Sequence, residues 1–159
     1  MRSHKASAIG LFAFLLICYF RFELGSKITA TSVGTWYQHL NKAPFNPPDG
    51  SFSPVWIVLY FLMALAGWRV WRLGDSGRAR LALGFFAVQL ALNMGWSALF
   101  FGYQQVGLAL AEMLLLLATV IVTTVLFWRI DRFAGMLLAP YALWLVFATV
   151  LTAYIWRLN

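Results

Sequence analysis

The chain has 159 residues, of which 62% are hydrophobic and 11% are charged, and its net charge is +7. Soluble domains are roughly 45–50% apolar and about 25% charged, and a small chain cannot hide this much apolar surface from water. The composition therefore excludes an ordinary soluble domain and predicts a protein that is partly solvated by lipid. The basic residues flank apolar stretches instead of forming one face, which argues against a nucleic-acid partner.

Five apolar stretches are long enough to cross a bilayer, where a helix needs roughly 20 apolar residues. They cover residues 6–22, 53–71, 81–101, 106–128 and 133–156. Backbone groups in hydrocarbon must bond within their own segment, and the alternating pattern of a barrel strand is absent, so all five are predicted to be helices. The predicted fold is an all-α integral membrane protein, a five-transmembrane-helix bundle that forms a single domain over residues 1–159.

The first apolar stretch also has features of a secretory signal peptide, because Arg2 and Lys5 precede a short apolar run. No small-x-small cleavage site follows it at the right distance, and Arg21 and Glu23 are typical of an interfacial helix end. We therefore predict a retained helix. The single cysteine, Cys18, lies within this stretch and rules out an intrachain disulfide.

The distribution of Lys and Arg predicts the orientation of the bundle. The N-terminus and the loops after the second and fourth stretches carry eight of these residues, against four on the opposite side. The positive-inside rule then places the N-terminus in the cytoplasm, and the first loop and the C-terminus outside. Three stretches end in a Trp-Arg pair that is typical of an interfacial anchor, at Trp71-Arg72, Trp128-Arg129 and Trp156-Arg157.

Two positions predict local features of the helices. Ser53 followed by Pro54 is typical of a helix start, because the hydroxyl can cap the helix and proline has no amide hydrogen to lose. Pro140 lies inside the last stretch and is predicted to kink it.

The connection between the first two stretches, residues 25–52, is much longer than the usual few residues. It contains apolar residues that can anchor it and prolines that stiffen it, namely Trp36, Tyr37, Leu40, Phe45, Pro44, Pro47 and Pro48. This composition argues against disorder. We predict an ordered lid over the outer ends of the helices, the alternative being a loop with a purely structural role.

Polar and aromatic side chains within the spans fall at helical spacing on three helices. The three stripes are Trp56 and Tyr60; Gln89, Asn93 and Trp96; and Tyr141, Trp144 and Ala148. Most of these positions are in the outer halves of their helices, so the stripes can converge on one cavity beneath the lid. The two amides need hydrogen-bond partners, either in a ligand or in another helix.

Glu112 is the only acidic residue inside an apolar span, and an ionisable residue there is a functional candidate. Three roles are open to it. The carboxyl group can form hydrogen bonds with Asn93, Gln89 or Tyr103, it can couple transport to a proton, or it can remain a solvated carboxylate near the interface.

No catalytic or metal-binding motif is found in the sequence. The two histidines, His4 and His39, lie outside the spans and are isolated in sequence. There is no Ser-His-Asp set, no pair of carboxylates suited to acid–base work and no phosphate-binding glycine loop. We predict neither a catalytic residue nor a bound metal ion.

Several motifs follow one another in a specific order. The chain reads WYQHLNKAPFNPP from residue 36, PVW from residue 54, QLALN from residue 89, Trp96-Ser97, PY from residue 140, Trp144, FAT from residue 147 and YIWR from residue 154. Over roughly residues 36–157 this resembles the translocator protein family, also called TspO/MBR, the tryptophan-rich sensory proteins or the peripheral benzodiazepine receptor. One departure is Ala43, which separates Lys42 from Pro44 where the family usually has proline directly after the lysine.

The resemblance implies a five-helix, often dimeric membrane protein that binds porphyrins, haem and related tetrapyrroles, sterols in some members, and synthetic aromatic ligands under the first loop. The pocket residues that it implies are Tyr37, Pro47, Trp56, Tyr60, Asn93, Trp96, Trp144 and Ala148. The family's sterol motif corresponds to Leu151, Tyr154 and Arg157. A tetrapyrrole is then a ligand and not a fixed cofactor, and Lys42 or Arg157 near the rim can meet its propionates.

Two functional hypotheses follow. The first is a membrane receptor or carrier of tetrapyrroles and similar hydrophobic molecules, which acts in their transport, sensing or breakdown as a homodimer in a bacterial cell membrane; the family also occurs in the mitochondrial outer membrane. The alternative is a proton-coupled small-molecule exporter in which Glu112 is the coupling carboxyl. Light-dependent porphyrin degradation would make the protein an enzyme, and the sequence does not separate this activity from binding.

Overall fold

The computed structural model describes residues 3–73 and 76–159, and every regular element in these ranges is helical. The α-helices are α1 (His4–Ala30), α2 (Phe52–Arg72), α3 (Gly77–Ser97), α4 (Val106–Ile130) and α5 (Arg132–Leu158). All five are long and apolar enough to cross a membrane. The predicted five-helix membrane bundle is confirmed. Arg2, on which the signal-peptide alternative and part of the predicted orientation rest, lies outside the described residues.

The helices pack in a ring that does not follow the chain order. α1 packs on α2, α2 on α5, α5 on α4 and α4 on α3, and α3 returns to α1. Inside the ring lies an apolar core whose members include the fully buried Met63, Phe127 and Leu145. Phe86 of α3 stacks on Phe127 of α4 with ring centroids 5.7 Å apart. The site described below lies at one end of the ring, among α1, α2, α3 and α5.

The first helix is longer than predicted, because it ends at Ala30 and not near residue 22. The lid therefore begins at Thr31 instead of residue 25. The predicted stretch of about 17 residues is roughly 26 Å long, which is less than the ~30 Å hydrocarbon core, so a longer helix is needed to cross it. The interpretation of Arg21 as an interfacial end is wrong, since its side chain is buried within the bundle.

The predicted cap at Ser53 is also wrong. A short 3₁₀ turn, Asp49–Ser51, leads directly into α2, which begins at Phe52. Ser51 precedes the helix with backbone angles that are already helical, so no side chain adopts the extended capping geometry. Pro54 lies in the first turn, where its missing amide hydrogen is harmless.

The end of α3 widens into a π-helical segment, Ala98–Gly102. Such segments are rare and frequently lie at functional sites. Here the segment buries Phe100 and Phe101 next to the lid. A short connection then leads into α4, with Gln104 in the left-handed region at φ 58°.

Three further local predictions concern Pro140, the Trp-Arg pairs and Cys18. α5 continues as one helix through Pro140, so the proline does not end the helix, and the predicted kink stays a prediction. Trp128 and Trp156 are about half exposed, as expected of side chains in an interfacial belt, whereas Trp71 reaches inward to Gly10 of α1. Cys18 is buried and free.

Candidate functional site

A cavity of about 380 Å³ lies beneath the lid. Helices α1, α2, α3 and α5 contribute its walls, the π-helical segment adds Phe100 and Phe101, and the lid closes it with Val33, Tyr37 and Asp49. The volume lies within the range of about 300–1,000 Å³ that is typical of small-molecule sites. The predicted convergence of side chains under the first loop is therefore found in the structure.

Six of the eight predicted pocket residues line this cavity. They are Tyr37, Trp56, Tyr60, Asn93, Trp96 and Ala148. Pro47 and Trp144 do not line it. The ring of Trp144 packs edge-on against Phe52 at 6.0 Å and against Trp56 at 6.5 Å, so it supports the wall from behind.

Asn93 is the centre of a buried hydrogen-bond network. Its side-chain oxygen accepts from Nη2 of Arg21 at 2.5 Å and from the Tyr60 hydroxyl at 2.7 Å. Its side-chain nitrogen donates to the Tyr141 hydroxyl at 2.9 Å. The amide therefore joins α1, α2, α3 and α5 at the inner wall of the cavity, where an unpaired amide would be costly.

Gln89 extends the network away from the cavity. The Tyr141 hydroxyl donates to its Oε1 at 3.0 Å, and its Nε2 lies 3.8 Å from the sulfur of Met63. Both Gln89 and Tyr141 are fully buried. The sequence left two kinds of partner open for these amides, a ligand or another helix. Gln89 bonds to another helix, and Asn93 both bonds to other helices and lines the cavity.

Arg21 is a cavity residue that the sequence did not predict. It is 6% exposed, its Nε donates to the carbonyl of Leu90 at 3.3 Å, and its guanidinium lies 5.9 Å from the centre of the Tyr60 ring. The available signal was the shortness of the first apolar stretch, because a helix long enough to span must carry Arg21 inside the membrane.

The lid is held to the bundle by aromatic contacts at its first 3₁₀ turn, Trp36–His39. Tyr37 is buried against Phe100 and Phe101, with centroid distances of 6.2 and 5.7 Å, and Trp36 packs edge-on against Phe100 at 5.6 Å. Burial raises the pKa of the Tyr37 phenol, which keeps it a neutral hydroxyl. The Lys42 ammonium lies 4.3 Å above the Tyr37 ring.

The middle of the lid is held to the end of α5 by hydrogen bonds, here called the clasp. The Asn41 amide N–H donates to the side-chain oxygen of Asn159 at 3.0 Å, and the side-chain nitrogen of Asn159 donates back to the Asn41 carbonyl at 3.0 Å. Phe45 packs edge-on against Tyr154 at 5.2 Å. The prediction of an ordered lid anchored by its apolar residues is confirmed, and the lid and the end of α5 lie at the same end of the bundle.

Glu112 does not join the network. A Cβ atom placed on Gly95 of α3 would lie 3.3 Å from its Oε1, and both carboxylate oxygens are buried without a hydrogen-bond partner among the described residues. The predicted hydrogen bonds from Glu112 to Asn93, Gln89 or Tyr103 are therefore not formed. The side chains of Asn93 and Gln89 bond instead to groups on other helices.

The three residues of the sterol motif face in different directions. Leu151 is buried and lines the cavity. Tyr154 is 41% exposed on the outside of α5, and Arg157 is exposed near the end of that helix. The motif therefore does not form one continuous surface.

Within residues 3–73 and 76–159, no group of three or more His, Cys, Asp or Glu side chains is arranged to hold a metal ion. His39 uses Nδ1 to contact the Thr35 carbonyl at 2.8 Å within the lid. The described polar and aromatic groups of the cavity are therefore aromatic rings, one amide, hydroxyl groups, one guanidinium and the Asp49 carboxylate at the lid.

Comparison with known proteins gives consistent matches over most of the chain. A model of the TspO/MBR family matches residues 11–157. The tryptophan-rich sensory protein of Cereibacter sphaeroides is 43% identical over 78% of this chain and 77% of its own length. Protein CrtK of Rhodobacter capsulatus is 38% identical over 80% of this chain and 81% of its own length. The translocator protein of Homo sapiens is 37% identical over 86% of this chain and 82% of its own length. The resemblance seen in the sequence is confirmed, and the chain belongs to the TspO/MBR family.

Proposed function

We propose that this integral membrane protein is a receptor or carrier that binds tetrapyrroles, such as porphyrin or haem, and similar flat hydrophobic molecules in the cavity beneath the lid. The observation that carries the proposal is the cavity itself, about 380 Å³ in volume and lined by aromatic rings around one buried polar cluster. Flat conjugated ligands stack on such rings, and a few fixed polar groups set their orientation.

The setting of the cavity supports handling of the ligand within a membrane. All five helices are long and apolar enough to span a bilayer, and the lid covers the cavity at one end of the bundle. A ligand that enters from lipid or from the outer surface is thereby separated from water. The proposal includes a bacterial cell membrane as the location, a homodimer as the working form, and sterols as a second ligand class, for which Leu151 offers an apolar contact at the cavity wall.

The test is a titration of the purified protein in detergent with protoporphyrin IX, followed by quenching of tryptophan fluorescence. Ala148 lines the cavity and is 8% exposed, so Ala148→Leu fills part of the cavity and leaves every tryptophan in place. A steric clash of this kind costs about 1–3 kcal/mol, so we expect the affinity for the ligand to fall by roughly fivefold to 150-fold.

Ala118→Leu is the matched control, because Ala118 is an exposed alanine on α4 away from the cavity. It is expected to bind as the wild type does. Equal affinity for wild type and Ala148→Leu would contradict binding in this cavity. Absence of saturable quenching in a folded wild-type sample would contradict tetrapyrrole binding altogether.

A second candidate function, proton-coupled export of a small molecule, is favoured by Glu112. Both of its carboxylate oxygens are buried without partners within a membrane-spanning helix, and a carboxyl group in that environment is a candidate for proton transfer. In this case Glu112→Gln abolishes transport into proteoliposomes driven by a pH gradient, while equilibrium binding of protoporphyrin IX is unchanged. Transport that survives the substitution contradicts the coupling role.

A further inference from the structure

Arg21 brings an unsatisfied hydrogen-bond donor to the cavity. Its Nε donates to the Leu90 carbonyl and its Nη2 to Asn93, whereas its Nη1 is buried and has no hydrogen-bond partner within residues 3–73 and 76–159. The whole residue is 6% exposed and lines the cavity. A buried donor that lacks a partner is costly, so a ligand acceptor at this point gains the free energy of satisfying it.

The charge of Arg21 is compensated only by electrostatic attraction to the Glu112 carboxyl, whose oxygens have no hydrogen-bond partner among the described residues. Its two hydrogen-bond acceptors are neutral, and among the described residues no carboxylate forms an ion pair with it. A buried cation inside a membrane-spanning helix is stable only when a partner offsets its loss of hydration. The guanidinium therefore favours a ligand group that carries a negative charge.

Nη1 is packed against Gly25 at the wall of the cavity, so a ligand acceptor reaches it when the flexible guanidinium shifts toward the cavity. A Cβ atom placed on Gly25 would lie 2.7 Å from Nη1 and 3.7 Å from the Ser97 hydroxyl oxygen, and both residues line the cavity. A side chain at position 25 would therefore displace Nη1 from this place. A second buried donor without a partner, the indole N–H of Trp96, belongs to the same cavity wall.

A negatively charged side chain, Asp49, lies at the lid side of the cavity. Its Oδ2 accepts from Nε2 of Gln38 at 2.6 Å. A ligand with an acidic group is repelled by Asp49 and attracted by Arg21. The cavity therefore distinguishes the two ends of an asymmetric acidic ligand.

We propose that Arg21 is the anchor for a carboxylate of the bound ligand, and that the cavity selects aromatic carboxylic acids over their neutral analogues. This rests on the proposed function. The rim cations considered from the sequence are less suitable, because the Lys42 ammonium lies on the Tyr37 ring and Arg157 is exposed. Arg21 instead offers two N–H groups in a fixed plane, which suits a carboxylate.

The experiment compares protoporphyrin IX with its dimethyl ester, which has the same ring and no carboxylate. Both are titrated against wild type, Arg21→Gln and Lys27→Gln, the last being a control that removes an exposed charge from the same helix. We expect wild type and Lys27→Gln to bind the acid roughly tenfold or more tightly than the ester, as a charge-assisted hydrogen bond of about 1.5–3 kcal/mol gives. In Arg21→Gln the two ligands should bind within about twofold of each other, with affinity for the ester retained.

A second pair of variants covers the case in which Arg21→Gln does not fold. Gly25→Ala keeps the charge but displaces Nη1, and Gly84→Ala adds a methyl group to a helix glycine with open space around it. The preference for the acid should fall in Gly25→Ala and persist in Gly84→Ala.

The outcomes separate this inference from the proposed function. If wild type binds the acid and the ester equally, or if Arg21→Gln keeps the preference for the acid, Arg21 does not bind the carboxylate. The proposed binding of tetrapyrroles in the cavity is then unaffected. If the preference is lost in Lys42→Gln and kept in Arg21→Gln, the carboxylate binds at Lys42 near the rim of the cavity, and the proposal is overturned. If neither ligand binds saturably to folded wild type, the proposed function fails and the anchor with it.

Discussion

Asn93 is the residue on which both the stability and the chemistry of the cavity depend. Its side-chain oxygen accepts two hydrogen bonds and its nitrogen donates one, so a single amide links four helices. Inside a membrane the hydrophobic effect does not drive helices together, and interhelical hydrogen bonds contribute to their association. The geometry of the inner cavity wall therefore follows from the same bonds that hold the bundle.

The two tyrosine hydroxyls of this network should differ in their contribution to stability. Tyr141→Phe leaves Oε1 of Gln89 and Nδ2 of Asn93 without their partners, whereas in Tyr60→Phe the Asn93 oxygen keeps its bond from Arg21. We expect Tyr141→Phe to lower the free energy of unfolding by about 2 kcal/mol and Tyr60→Phe by about 0.5 kcal/mol. Unfolding curves in detergent measure the difference, and a larger loss for Tyr60→Phe would contradict the network as described.

At the residue scale the sequence predicted one part of the cavity and missed another. Helical spacing found Asn93, Trp96 and Ala148, because residues three, four or seven apart share a face. It did not find Arg21, because a cation near the end of an apolar run is ordinarily an interfacial residue. The shortness of the first apolar stretch indicates that Arg21 lies within the membrane, but its burial at the cavity depends on the packing of α1 against α3, which no local pattern contains.

Among the elements, the lid has the strongest influence on access to the cavity. Its first turn is buried by aromatic contacts, and the segment after that turn is held by the two reciprocal hydrogen bonds between Asn41 and Asn159. Exposed polar contacts are weaker than buried apolar ones, so opening of the lid should begin at this clasp.

Asn159→Ala should therefore loosen the lid without unfolding the bundle. The substitution removes the acceptor of the Asn41 amide N–H and the donor to its carbonyl. We expect faster amide exchange at residues 40–46 and faster release of bound ligand, with little change in helix exchange. Hydrogen exchange followed by mass spectrometry measures both regions. Unchanged exchange in the lid would show that the clasp does not hold it.

The opposite end of the bundle has an ion pair whose effect depends on pH. Arg69 of α2 donates from Nε to Oδ2 of Asp131, which also caps α5 by accepting from the Phe133 amide. Burial acts to raise the pKa of Asp131, but the hydrogen bonds and charge of Arg69 and the bond from Phe133 hold it below its ordinary value of 3.8. A lowered pKa means that the carboxylate stabilises the fold above the ordinary value and loses this effect as pH falls through the lowered one.

Asp131→Asn tests this ion pair, because asparagine retains the cap and removes the charge. We expect a loss of about 1 kcal/mol at neutral pH, given the partial exposure of the pair. Asp131→Asn in combination with Arg69→Gln should cost little more than either change alone. Unfolding measured across pH should show the variant and wild type converging in acid. A difference that persists at low pH would contradict the electrostatic origin.

The elements were predicted better in number and type than in their bounds. Hydropathy identified five spans because the lipid core sets a minimum apolar length. It placed the end of α1 about two turns early, since residues 23–30 include Glu23 and Lys27 and do not look apolar. The 3₁₀ turn before α2 and the π-helical segment after α3 have no signal in hydropathy, because both depend on packing beneath the lid.

For the whole molecule, the cavity lies at the end of the bundle that carries the lid. The lid, the π-helical segment and the end of α5 meet there, while the Arg69–Asp131 pair lies at the other end. The distribution of Lys and Arg predicts that the lid end faces out of the cytoplasm.

Labelling of single cysteines tests this orientation. Cys18 is buried, and Cys18→Ser gives a background without thiols. In that background His39→Cys places an exposed thiol in the lid, and Leu73→Cys places one just after α2. A membrane-impermeant maleimide added to intact cells should label His39→Cys, and should label Leu73→Cys only after the cells are opened. The reverse pattern would contradict the predicted topology.

The central claim is that a tetrapyrrole binds in the cavity under the lid, and the most direct measurement is a structure of the protein with protoporphyrin IX bound. We expect the ring in the cavity among Trp56, Trp96 and Phe100, with one carboxylate at Arg21. A porphyrin bound on the lipid-facing surface of the helices, with the cavity unchanged, would contradict it.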